Sequence, residues 1–85
     1  MRVIETTYLA NYRIYVHIRT IEGDYAKVCD IKPILIRSHN PDIKELLDPD
    51  KFKQFHIEHG GICWNNNALS LSAQSLWDGS YLNTT

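Results

Sequence analysis

The sequence is poor in the residues that usually announce a specialised site: two cysteines, three prolines, four glycines and one methionine in 85 residues. Two thiols far apart in the chain, Cys29 and Cys63, exclude a disulfide framework and a zinc site built from four cysteines. Both are expected as small buried apolar side chains in a reducing compartment, with a bridge across neighbouring strands as the alternative. Charge of one sign is lacking too. Nine Lys and Arg stand against ten Asp and Glu, a formal charge of −1, so there is no global field to concentrate a polyanion. Long apolar runs are missing as well. The stretch MRVIETTYLANY carries Arg2 and Glu5 and reads as neither a signal peptide nor a membrane span, which leads to the expectation of a cytoplasmic protein. No internal repeat or low-complexity segment is present.

What is present is enough for one packed globule. With 44% hydrophobic, 11% aromatic and 22% charged residues, the chain lacks the signature of disorder, and its length leaves no room for a second core. The expectation is a single domain over residues 1–79 and a flexible tail over 80–85.

The clearest pattern is YRIYVHIRT. Tyr12, Ile14, Val16 and Ile18 fall on one side of a strand, while Arg13, Tyr15, His17 and Arg19 fall on the other. Glu22, Gly23 and Asp24 supply a reversal and YAKVCDI the returning strand, which makes residues 12–31 a β-hairpin. RVIETT is β-branched and reads as a further strand, set off by the turn LAN. After Pro33, PILIR is either a tight apolar turn or one short helical turn. Asn40 before Pro41 and Asp48 before Pro49 each read as an N-cap with proline at the first helical position. They predict two short helices, with apolar faces at Ile43, Leu46 and Leu47 and at Phe52 and Phe55. HIEHGGICW reads as a second hairpin turning at Gly60 and Gly61. The asparagines Asn65, Asn66 and Asn67 end its second arm, ALSLS alternates, and Ser72 caps a last helix that stops at Gly79. The fold class predicted is α+β: a small antiparallel β-sheet, two hairpins plus the N-terminal strand, with two or three short helices packed on one face.

The order of these segments resembles the small bacterial family called domain of unknown function 2442. Asp30, Pro33 and Leu35 match its first motif. Leu47, Asp48, Pro49 and Phe52 match its second, and Trp64, Asn66, Leu71 and Leu76 its third. The chain departs from the pattern at Asn67, where the family has glycine, at Ala73, where it has proline, and by one extra residue in the loop after Trp64. The resemblance implies a compact α+β domain with no established activity. It also implies a bacterial setting in which such proteins are suspected of toxin-antitoxin or regulatory roles.

Each candidate for chemistry has a plainer reading beside it. His56 and His59 are three apart, a spacing that suits one metal on a helix but points to opposite faces of a strand, so two surface histidines are expected. Cys63 can approach His56 or His59 across the hairpin, yet a lone thiol needs a base and an oxyanion hole that the sequence does not announce. Asp42, Glu45, Asp48 and Asp50 suit the first turns of helices through the helix dipole. The serines lack the strand-turn-helix setting of a nucleophile. No catalytic residue, cofactor or metal is therefore assigned. The feature above background is the second face of the first hairpin. Arg13, Tyr15, His17 and Arg19 alternate with core residues, and the returning strand adds Tyr25 and Lys27 where its register keeps them on that side. Cations interleaved with aromatics suit an acidic protein partner or stacked single-stranded nucleic acid. The expectation is a non-enzymatic interaction module that binds another protein or a second copy of itself. The alternative is a nucleic-acid binder using that face.

Overall fold

A computed structural model describes residues 1–83. Strands β1 (Arg2–Tyr8), β2 (Arg13–Thr20) and β3 (Gly23–Asp30) form one antiparallel sheet in that order. Strands β4 (His56–Glu58), β5 (Gly61–Trp64) and β6 (Leu69–Leu71) form a second. Between the sheets run α1 (Lys32–Arg37), α2 (Pro41–Lys44) and α3 (Pro49–Phe52), and α4 (Ala73–Asp78) follows β6. Single 3₁₀ turns occupy Glu45–Leu47, Asn65–Asn67 and Ser80–Asn83. The α+β class is as the sequence predicts. The strands divide over two three-stranded sheets, with the alternating segment Leu69–Leu71 joining β5 as the third strand of the second. The amide of Val3 donates to the carbonyl of Gly60 at 2.8 Å and ties the two sheets together.

Local rules account for most boundaries. The Asn40 side chain accepts from the amide of Asp42 at 2.9 Å, and that of Asp48 accepts from Asp50 at 3.0 Å. Each satisfies an amide that the helix leaves unpaired at its start. Ser72 does the same for Ser75 at 3.1 Å, and Gly79 ends α4 in the left-handed conformation. The open question at PILIR resolves as a helix, with Pro33 in its first turn and the Asp30 carboxylate accepting from the Lys32 amide.

Three expectations need correction. The first hairpin turns at Ile21 and Glu22, with Gly23 already the first residue of β3. The second turns at His59 and Gly60, both in the left-handed region at φ 53° and 79°. Two consecutive left-handed residues are what a twisted two-residue hairpin requires. Gly61 belongs to β5, where a Cβ would collide with the Leu71 carbonyl oxygen. The tail predicted over residues 80–85 does not begin at 80: Ser80–Asn83 form a helical turn and Tyr81 is buried, because its ring packs against the core. The last two residues of that tail lie outside the described residues.

The core draws on both sheets and every helix. Ile14, Val16 and Ile18 present one face of β2 to it, joined by Leu35, Leu46, Phe52, Trp64, Leu71 and Leu76. Phe52 is central to the aromatic packing: the rings of Tyr12, Trp64 and Tyr8 stand 5.2, 5.4 and 5.8 Å from it, and Phe55 6.4 Å. No buried side-chain nitrogen or oxygen among the described residues lacks a hydrogen-bond partner.

Candidate functional site

Register decides which residues share a face. Directly opposed residues of an antiparallel pair point the same way, and Tyr25 lies opposite Ile18 while Lys27 lies opposite Val16. The structure therefore separates Tyr25 and Lys27 from Arg13, Tyr15, His17 and Arg19 and places them on the other side of the sheet. Lys27 donates to the Trp77 carbonyl at 3.1 Å, near the C-terminal end of α4, and Tyr25 stands edge-on to the Trp77 ring at 5.7 Å. The face of Arg13, Tyr15, His17 and Arg19 is completed by acids. Glu5 lies opposite His17, Asp24 opposite Arg19 and Asp30 opposite Arg13. The Arg19 guanidinium donates twice to Asp24, at 3.1 and 3.2 Å, and the His17 ring lies 3.1 Å from the same carboxylate. The Arg19 bond is the main cause that holds the Asp24 carboxyl below its usual range. The face is mixed in charge, because the returning strand brings its own carboxylates in register.

The opposite side of that hairpin ends in an open apolar hollow of 320 Å³ bounded by Met1, Thr20, Ile21, Glu22, Tyr25 and Trp77. Ile21 is fully exposed at the turn, and Met1, Tyr25 and Trp77 are each exposed by two fifths or more. Large apolar side chains gathered at one end of a small domain are less ordinary than the same residues scattered singly.

A second concave place lies on the second sheet. His56 and Glu58 are two apart on β4 and so share a face, and His56 lies opposite Cys63 of β5. Their polar atoms meet. His56 Nε2 is 2.9 Å from Glu58 Oε2 and 3.1 Å from Cys63 Sγ, and the thiol donates to Glu58 Oε2 at 3.3 Å. Cys63 is only 1% exposed, at the floor beneath two side chains that reach solvent. Burial, followed by the adjacent Glu58 carboxylate, pushes the thiol pKa up. Hydrogen bonds from His56 and Cys63 lower that of Glu58. The cleft continues over Ser70, which lies opposite Cys63, to Ser72 and Ser75.

Nucleophilic catalysis by a thiol needs a base whose second ring nitrogen is held by an orienting group. Here Glu58 and Cys63 converge on the same nitrogen of His56, and the thiol pKa is raised where a reactive thiolate needs it lowered. The trio lacks the arrangement of a catalytic triad, in which nucleophile and orienting group use different ring nitrogens of the base. Its donor set, one imidazole nitrogen, one carboxylate oxygen and one sulfur within 4.8 Å of one another, is one that could hold a metal ion. His59, weighed as the partner of His56, sits in the turn with its ring 3.4 Å from the other oxygen of Glu58. Glu58 is the member that spacing passes over, although two residues along a strand from His56 is the signal that finds it. His39 stands apart from both places, and Cys29 is free and fully buried in the core.

A family model described as "Protein of unknown function (DUF2442)" matches residues 3–81. No curated protein and no solved structure matches the chain. Among the described residues, no helix is long and apolar enough to cross a membrane.

Proposed function

The chain belongs to the DUF2442 family, whose description assigns no activity, and we propose that it is a non-enzymatic cytoplasmic module that binds another protein, a companion or a second copy of itself. The observation that supports this reading is the apolar end of the first hairpin, where Ile21 stands fully exposed beside Tyr25, Trp77 and Met1. Burying such side chains against a partner is favourable at roughly 25 cal/mol per Å² of apolar surface removed from water, and aromatic residues are enriched where proteins meet. A domain of this size has a small core, and association commonly adds to its stability. The alternative, nucleic-acid binding on the face of Arg13, Tyr15, His17 and Arg19, is weakened by Asp24, which engages Arg19 and His17, and by Glu5 and Asp30 on the same face.

Light scattering over a range of concentrations and co-purification from the native host, both with wild type and Ile21→Glu, test the proposal. Wild type should gain a partner, its own copy or another protein, that Ile21→Glu loses while keeping its melting temperature. A partner retained by Ile21→Glu would overturn the assignment of the surface. Absence of any protein partner, with single-stranded nucleic acid bound in a steeply salt-dependent way, would transfer the function to the opposite face.

A further inference from the structure

We propose that His56, Glu58 and Cys63 form a zinc site that clasps β4 to β5, with its open coordination position facing the serine-lined cleft. The argument begins with convergence. The three ligand atoms make a triangle with sides of 2.9, 3.1 and 3.3 Å. An ion placed about 1 Å out of its plane lies about 2.1 Å from every corner, the length of zinc–nitrogen and zinc–oxygen bonds. The longer zinc–sulfur bond, about 2.3 Å, needs an outward shift of a few tenths of an ångström at Cys63 alone.

Donor chemistry selects the metal. A thiolate and an imidazole favour a borderline or soft ion over magnesium or calcium, which take oxygen ligands. One sulfur, one nitrogen and one oxygen around a small ion that tolerates tetrahedral geometry describe zinc. Without a cation, a thiol proton and the imidazole fill the same small space beside one carboxylate. With zinc, the thiol gives its proton to solvent, and thiolate plus carboxylate offset the charge of the ion.

The fold supplies the rigidity. Cys63 is fixed on the central strand of the second sheet, paired on one side with His56 and on the other with Ser70. His56 and Glu58 are held by a two-residue turn whose geometry leaves little freedom of register. Glu58 and Cys63 line the same cleft as Ser70, Ser72 and Ser75, so a fourth ligand from that side would be water. His59 flanks the site from the turn, against the outer oxygen of Glu58.

The test titrates metal-free full-length protein with Co²⁺, read by its thiolate charge-transfer absorption, and with Zn²⁺, read by calorimetry and by melting temperature. Wild type should bind one ion, show the thiolate band, and melt at a higher temperature with Zn²⁺. Cys63→Ser should lose the band. His56→Ala, at an exposed position that leaves the core intact, should bind at least about tenfold more weakly, since loss of a mere supporting group already costs about 10- to 100-fold. Glu58→Gln should fall between. No thiolate band in wild type, or His56→Ala binding as tightly as wild type, would overturn the site. Neither outcome depends on the apolar end around Ile21, so this site and the protein-binding reading stand or fall separately.

Discussion

The indole of Trp64 donates to the backbone carbonyl of Phe52 at 2.8 Å while its ring packs 5.4 Å from the Phe52 ring. One side chain of the second sheet thus holds both the backbone and the ring of a residue in the helical segment. Trp64 is 1% exposed, and truncating a buried tryptophan to alanine costs about 3 to 5 kcal/mol. Trp64→Ala should lose that much in urea unfolding. Trp64→Phe keeps part of the volume and forfeits the hydrogen bond, so it should fall between wild type and alanine. An unchanged midpoint for Trp64→Ala would sink the assignment of this residue to the core.

Asp48 accepts from the Asp50 amide at the start of α3, the helix that carries Phe52. Asp48→Ala removes the cap and should cost about 0.5 to 2 kcal/mol, whereas Asp48→Asn or Asp48→Ser should cost much less. Chemical denaturation of the three variants checks the order. Equal losses would assign the effect to charge, since asparagine and serine retain the acceptor and drop the carboxylate.

Asp24 gives a pH dependence at the acid end. Its folded carboxyl pKa is lowered, first by Arg19 and less by His17, against an opposing effect of desolvation. A lowered folded value contributes stability above the unfolded value, near 3.9, and loses it as pH falls through the folded one. The pair is exposed and screened by salt. Asp24→Asn should therefore melt slightly below wild type at neutral pH and low salt, and the difference should vanish in strong acid. A constant difference across the acid range would show that lost packing, and not charge, is responsible.

Tyr81 sets the alkaline end. Burial, with the neighbouring Cys29 thiol second, pushes its hydroxyl pKa up to about 12. The unfolded chain ionises this group near 10, so its contribution is complete below that value and drains away as pH rises toward about 12. Tyr81→Phe should lose stability less steeply over that window, as melting curves taken across it would show. Parallel slopes for the two proteins would place the ring in solvent.

Much of the fold was legible because its signals are local. Ile14, Val16 and Ile18 alternate on one strand, and Asn40, Asp48 and Ser72 cap amides two or three residues away. The side of the sheet taken by Tyr25 and Lys27 was not, because it depends on which two residues form the turn, and a shift of one residue sends every side chain to the other face. The same reason hid the carboxylates opposite Arg13, His17 and Arg19. At the second sheet, His56 and Cys63 stood out by residue type, whereas Glu58 needed the strand period and the measured register to join them. Tyr81 is buried through contacts distant in sequence, which no local pattern announces.

The hydrogen bond from Val3 to Gly60 also sets an order of events during synthesis. The Val3 amide is made 57 residues before the carbonyl it bonds, an interval of about 3 to 11 s at roughly 5 to 20 residues per second. Until Gly60 is made, the Val3 amide on the free edge of β1 has no acceptor from the second sheet, and an unpaired strand edge is open to stray pairing.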